Sequence, residues 1–425
     1  MVKKLQEDIQ ETLEMFFGEL KLDAIAPGMA IDAGAEEELF RELGQRAAAA
    51  ALKRRWENAG TEAVVECTHC GEPLTDLGFR EKEFRTLCGP VRIRRRVGYC
   101  HKCHKTMAGL DKRLKTDNTG ITPGLARVIC RTALEMAYKP TKELLTDTLG
   151  FVPCSAREIE RIAKTHGEAM GEPTEATPPA RVRSKVKRLH LTMDGTMIPG
   201  LADPREHRLK WHEVKIAAVV DARNVDAPFY VASTGNAEEF GKQLFQEIQS
   251  RGMDGQELAQ ITADGAPWIW NLADIYYPGA RQLLDFYHAA EHLHNTAATL
   301  WPTETANSWC HERKEQLRTG KLDGFFNELK QTAEQHATDD SATGPKRLLN
   351  YFETNRNRLG YADAVKDKLP IGSGVIESAG RHIVQQRLKQ SGMRWSLPGA
   401  QAVLNLRTRH RSGQFEQYWE NFAAA

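Results

Sequence analysis

The chain has 425 residues, of which 41% are hydrophobic and 27% charged, with a formal net charge of +1. That balance is ordinary for a globular protein of roughly two to four domains with ample core. Eight cysteines in so long a chain exclude a disulfide scaffold, and no apolar stretch approaches bilayer length. The opening MVKKLQEDIQETLEMFF lacks a signal-peptide apolar region, so a soluble cytoplasmic protein with no membrane partner is expected.

Residues 1–60 read as a helical segment, with Gly60 placed to stop it. Within 61–110, Cys67 and Cys70 form one C-x2-C pair and Cys100 and Cys103 a second. Two thiolates at that spacing sit on one tight knuckle, and two knuckles make a tetrahedral four-cysteine site for one structural Zn2+. The 29 residues between the pairs include strand-like RTLCGPVRIRRRVGYC, which suits a zinc ribbon. Cys88 falls outside the pairing and is expected to be a buried hydrophobe.

Residues 111–170 carry apolar positions at helical spacing. TKELLTDTLG, a short turn, and a helix capped by Ser155 fit a helix-turn-helix that would offer Arg157, Arg161 and Lys164 to DNA. The stretch 171–187 is rich in proline and charge and reads as a linker. Several separated basic blocks, RVRSKVKRLH among them, favour a polyanionic partner.

Beyond the linker the pattern changes. RLHLTMD, EVKIAAVVDA and PFYVASTG read as strands, AEEFGKQLFQEIQSRG as a helix, LAQITADG as a strand, APWIWNLADIYY as a helix, and ARQLLDFYH as a strand carrying Asp285. This order, over 188–288 and 371–412, is that of an α/β ribonuclease-H-like domain, in which the first and fourth strands lie side by side. Asp194 and Asp264 would then stand at adjacent strand ends although 70 residues apart. Two such carboxylates cannot both stay charged cheaply without a cation, and hard oxygen ligands select Mg2+ or Mn2+. Two such ions about 4 Å apart stabilise both oxygens of a phosphodiester displacement. Glu377, in the first turn of a helix opened by Gly-Ser-Gly, is the natural third carboxylate. The mostly helical residues 289–370 read as an insertion too long for a loop; in it Trp301 and Trp309 read as core. Gly-Ser-Gly is not a nucleotide loop, because the Lys-Ser/Thr that should close one is missing.

LTMDGTMIPG, ITADGAPWIW, DFYHAAEHL and GSGVIESAGRHIVQQRLKQSGMRW, together with the paired-cysteine segment, carry a family resemblance. The chain resembles the DDE transposases of bacterial insertion sequences, in the Mutator-related group of the ISKra type, from about residue 65 to the end. The resemblance implies that Asp194, Asp264 and Glu377 bind two Mg2+ (or Mn2+) ions. The enzyme would cleave double-stranded DNA at the terminal repeats of its element and join the 3′-hydroxyl ends to target DNA. Asp285 and His288 match the family's D-x-x-H element and would support the metals. Arg381, Arg387, Lys389, Arg394 and Trp395 would clamp phosphates beside the scissile bond. A homo-oligomer at the paired DNA ends, and association with the nucleoid, are implied by the same analogy. Two other classes are expected to differ by experiment: a DNA-binding regulator would bind without cleaving, and a metal-free carboxylate-pair hydrolase would survive chelation.

Overall fold

A computed structural model describes residues 32–62, 65–116, 119–172, 189–202, 209–221, 224–253, 257–336 and 344–424. The expected helical segment before residue 32, most of the 171–187 linker and most of the basic run at 181–190 lie outside the described residues. The chain divides into two compact units. One holds the described residues up to Ile121 with Leu149–Phe151; the other holds Thr122–Thr148 and the described residues from Val152.

In the first unit, helix α1 (Ala33–Ala59) starts at Asp32, whose side chain accepts from Ala35 N, and ends at Gly60. Strands β1 (Thr75–Thr86), β2 (Gly89–Cys100) and β3 (Lys105–Met107) form an antiparallel sheet, followed by α2 (Gly109–Arg113). Strand alternation sends Val91, Ile93, Arg95 and Val97 inward. Phe84, Val91, Ile93 and Leu110 make the core, with Leu52 and Trp56 of α1 packed on it. Arg95 is tolerated inside because Asp111 takes its Nε at 2.6 Å and a terminal nitrogen at 3.0 Å. Of the neighbouring arginines, Arg92 pairs with Glu83 and Arg96 with Asp76. Cys88 departs from expectation. It is only half-buried, because it sits in the tight β1–β2 turn with its N–H on Thr86 Oγ1.

The second unit opens with α3 (Pro123–Ala133), α4 (Tyr138–Leu149) and α5 (Ala156–Gly171). Ser155 and Glu158 form a complete capping box that fixes the start of α5. These helices belong to the same compact unit as the larger sheet. Gly167 of α5 approaches the backbone of α15 (Leu397–Arg411) so closely that a Cβ would meet Ala402 O at 2.3 Å.

The larger sheet contains β4 (Leu189–Ala202), β5 (Leu209–Asp221), β6 (Asn224–Ser233), β7 (Leu258–Ala263) and β8 (Arg281–Leu284), in the spatial order β6-β5-β4-β7-β8. β4, β5 and β6 are mutually antiparallel neighbours, and β7 and β8 run parallel to β4. Crossover helix α6 (Ala237–Ser250) links β6 to β7, and α7 (Pro267–Tyr276) links β7 to β8. One face of the sheet buries Leu191, Met193, Ile261 and Ala263 against Phe240, Leu244, Ile269 and Leu272. The other buries Ile198, Ile216 and Ala218 against Ile376, Ile383, Val403 and Leu404. Helices α8 (Phe286–Leu300), α9 (Thr303–Arg318), α10 (Leu322–Gln335), α11 (Pro345–Thr354) and α12 (Tyr361–Lys366) share their own core around Phe325, Phe326, Phe352 and Tyr361. Trp301 and Trp309 pack on that core with ring centroids 5.3 Å apart.

Two local expectations are corrected. β4 does not end at Asp194 but continues to Ala202, because its pairing with β5 persists through Pro199 and Trp211. Asp285 is not a strand residue. Its carboxylate accepts from Tyr287 N and His288 N and so starts α8.

Candidate active site and four-cysteine cluster

The four cysteines are built on two matching knuckles. Gly71 after Cys70 and His104 after Cys103 both have positive φ, 74° and 53°, which turns the chain back under the sulfurs. His69 N donates to Cys67 Sγ at 3.4 Å and Cys103 N to Cys100 Sγ at 3.3 Å. All four ligand atoms lie within 4.8 Å of one another. Cys67 and Cys103 sulfurs are 3.9 Å apart, and those of Cys70 and Cys100 are 3.5 Å apart. Tetrahedral zinc with Zn–S of about 2.3 Å needs sulfurs roughly 3.8 Å apart, so the donor set could hold zinc. Burial works against ionising Cys67, yet the His69 and Cys70 backbone and the neighbouring thiols lower it to about 7. Cys103 is pushed up to about 12 by sharing hydrogen bonds with Cys70 and by burial. Metal binding would draw the remaining protons off the thiols.

The acids are set by sheet register. Thr192 of β4 pairs with Thr262 of β7 in parallel. Two residues on stand Asp194, still within β4, and Asp264, just past the end of β7. Asp264 accepts from Ala266 N at 3.0 Å, and Gly265 takes φ 105° to allow the turn. Asp194 accepts from Gly195 N at 2.6 Å. The Asp194 carboxyl is raised above its usual range, first by burial and then by the charges of Asp264 and Glu377, with the Gly195 N–H and His288 pulling the other way. Glu377 is exposed in the first turn of α13 (Gly374–Ala379). Among the described residues the cysteine set is the group that closes to within 4.8 Å; Asp194, Asp264 and Glu377 do not close to that distance as a set, although the charges of Asp264 and Glu377 act on Asp194.

Asp285 is buried and joins the parts. Its backbone N–H donates to Ala263 O at 2.7 Å, next to Asp264. Oδ1 accepts from Tyr287 N at 2.7 Å and His288 N at 2.8 Å. Oδ2 accepts from Ser373 N at 2.6 Å and from Ser373 Oγ, and the Ser373 carbonyl in turn accepts from Glu377 N at 3.3 Å. Both oxygens are thus occupied by the chain itself.

Three neighbours of the acids escaped sequence reasoning. His292 Nε2 lies 3.2 Å from His288 Nε2, and its ring lies 4.2 Å from that of Tyr351. Burial, then the His288 charge, lowers the His292 pKa. Tyr351 donates to Asp264 O at 3.1 Å. Ser373 is the third. The i, i+4 spacing of His288 and His292 was the available signal.

The expected cationic contacts divide. Arg157, Arg161 and Lys164 are exposed on α5, with Lys164 3.8 Å from Glu168. Arg381, Lys389 and Arg394 are exposed, and Lys389 Nζ donates to Thr196 Oγ1 at 2.8 Å. Arg387 and Trp395 are corrections, for both are buried. Arg387 Nε donates to Ala133 O at 2.9 Å, and the guanidinium lies over the rings of Tyr138 and Trp395. Trp395 Nε1 donates to Leu388 O at 3.0 Å. Their apolar and backbone partners keep both from reaching a phosphate.

The molecule is thus a mixed α/β protein whose sheet carries a group of interacting carboxylates, with a separate four-cysteine unit. Residues 78–420 match the family described as the uncharacterised protein family UPF0236, and the chain belongs to that family. A UPF0236 protein from Streptococcus gallolyticus, described as lying in the vanSb 3′ region, is 23% identical over 331 residues, 75% of this chain and 70% of the relative. A Drosophila P element transposase strand transfer complex is similar at a TM-score of 0.26 and 10% identity, over 74% of this chain and 84% of that one. A likeness that slight defines neither fold nor activity. No described helix is long and apolar enough to cross a membrane.

Proposed function

We propose that the chain is a metal-dependent DNA strand-cleaving and strand-transferring enzyme, a transposase of the DDE type resembling the Mutator-related ISKra group. One observation carries the reading. The parallel Thr192–Thr262 pair, two residues before each aspartate, supports Asp194 and Asp264 as neighbours, and the Asp194 carboxyl is raised first by burial and then by the charges of Asp264 and Glu377. The strand order, antiparallel for three strands and parallel for two, supports a ribonuclease-H-like domain interrupted by the helices of 289–370. The four-cysteine sheet supports a zinc ribbon.

An all-oxygen donor set in which burial and then the charges of Asp264 and Glu377 disfavour the ionised form of Asp194 fits a hard divalent cation, which would offset that cost. Asp194, Asp264 and Glu377 would hold two Mg2+ or Mn2+ ions; when bound, these supply the charge that stabilises the attacking and leaving oxygens of an in-line phosphodiester displacement. Asp285 orients the turn that delivers Glu377, and it fixes the start of α8, which presents His288 beside Asp194. Exposed Arg381 and Lys389 would bind backbone phosphates, and Arg157, Arg161 and Lys164 would bind the element's ends. Two or more copies would bring two ends together.

The test is strand nicking on duplexes carrying the sequences that flank the protein's own gene. Cleavage that needs Mg2+ or Mn2+ and disappears with EDTA supports the reading. Cleavage that survives EDTA contradicts it, and binding without cleavage under any divalent ion points to a DNA-binding regulator.

A further inference from the structure

The helix that carries Glu377 changes type along its length. Gly374–Ala379 and Gln386–Leu388 are α-helical, and Gly380–Gln385 between them is a π turn. An α-helix advances about 100° per residue, so Lys389, twelve residues on, would lie about 120° around the axis from Glu377. A π turn accommodates about one extra residue, which takes back about 100° of that drift. Glu377, Arg381, Gln385 and Lys389 then fall in nearly one row. Burial agrees with this phase. Those four are exposed, while Ile376, Gly380, Val384 and Leu388, at the same spacing, are buried. The row meets the sheet where Lys389 Nζ bonds to Thr196 Oγ1, two residues beyond Asp194 on the same face of β4.

Something must hold a turn this rare. Arg407 of α15 is fully buried. Its Nε donates to Ile383 O at 2.8 Å, and its terminal nitrogens donate to His382 O and Leu134 O and reach Glu135 Oε2 at 3.0 Å. His382 and Ile383 lie inside the π turn, where widening frees carbonyls that need donors. Without the guanidinium, the His382 and Ile383 carbonyls would lose these donors. A plain α-helix over the same residues would rotate Glu377 out of line with Lys389.

We propose that Arg407 is a positioning residue: by holding the π turn it sets Glu377, Arg381 and Lys389 in one row, along which the phosphates of a single DNA strand run past the carboxylates. The proposal rests on reading the site as DNA-cleaving. Its test uses the full chain and two probes, Mn2+ alone and a duplex of arbitrary sequence. Each lost phosphate contact lowers the slope of log affinity against log salt by about 0.9. Arg407→Lys is expected to weaken Mn2+ binding at least fivefold. Lys389→Ala should lower the salt slope by about one contact in the natural background and by nothing further in Arg407→Lys. If Arg407→Lys leaves Mn2+ affinity within twofold and Lys389→Ala costs the same slope in both backgrounds, the positioning role is overturned. If neither Arg381→Ala nor Lys389→Ala changes the slope in the natural background, the DNA reading of the row fails, while the Mn2+ result still judges Arg407. Deleting Gln385 converts the turn to α-helix without touching the buried arginine, and it repeats both measurements should Arg407→Lys not fold.

Discussion

Removing the Asp285 carboxylate should cost the second unit far more than removing an ordinary helix cap. The carboxylate accepts from Tyr287 N, His288 N, Ser373 N and Ser373 Oγ in a site only 2% exposed. A helix cap alone is worth about 1 kcal/mol. Here the Ser373 donors lie 88 residues away in sequence and are buried with their acceptor. Each buried donor left unpaired costs roughly 1–3 kcal/mol. Allowing for relaxation around the hole, Asp285→Ala should lose about 3–5 kcal/mol. Asp285→Asn keeps the shape and can still cap α8 through its oxygen, but its amide NH2 faces the donors of Ser373; it should lose about 2–3 kcal/mol. Ser373→Ala removes one hydroxyl and should lose about 1–2 kcal/mol. The assay is urea unfolding followed by tryptophan fluorescence, with midpoints compared at constant slope. An Asp285→Asn protein as stable as the natural one, or a Ser373→Ala loss equal to that of Asp285→Ala, would refute this reasoning.

Three further outcomes are expected. Purified chain should carry one zinc, measured by elemental analysis, and Cys67→Ser or Cys100→Ser should bring it near zero and lower the melting temperature of the first unit, as chelation should. His190 is buried with its Nε2 3.0 Å from Thr262 Oγ1, and burial lowers its pKa to about 4 from an ordinary 6.5. A base depressed in the folded state stabilises the fold above its unfolded pKa, and that contribution is lost as pH falls from about 6.5 toward 4; the loss is about 3 kcal/mol. Urea midpoints at pH 7 and pH 4.5 should therefore fall less in His190→Asn than in the natural chain. The Asp194 carboxyl is raised by burial and by its acidic neighbours, so its ionised form opposes folding as pH rises above the unfolded value. Asp194→Asn should accordingly raise the thermal midpoint at pH 7, and added Mn2+ should raise the midpoint of the natural chain but not of this variant.

Much of the scaffold was legible because it rests on local chemistry. The alternation in RLHLTMD and LAQITADG marks β4 and β7, and the cap at Ser155 fixes α5. The two C-x2-C pairs mark the four-cysteine cluster because knuckle geometry depends on a few adjacent residues. What the sequence hid was decided by distant partners. Arg387 stands in a basic stretch that reads as surface, yet its Nε bonds to Ala133 O, 254 residues earlier in the chain. Asp285 reads as a residue within a strand because FYH continues the apolar run of ARQLL; only the turn at Ser373 reveals its second task. The length of β4 was missed because its extension past Asp194 is sustained by pairing with β5 rather than by its own alternation.

The central claim is that Asp194, Asp264 and Glu377 jointly hold divalent metal. Titration of Mn2+ into the full chain, followed by electron paramagnetic resonance of the free ion, tests it most directly. Two bound ions per chain are predicted, with Asp194→Ala, Asp264→Ala and Glu377→Ala each losing at least one. Stoichiometry and affinity unchanged in any one of the three would remove that residue from the metal site and contradict the account.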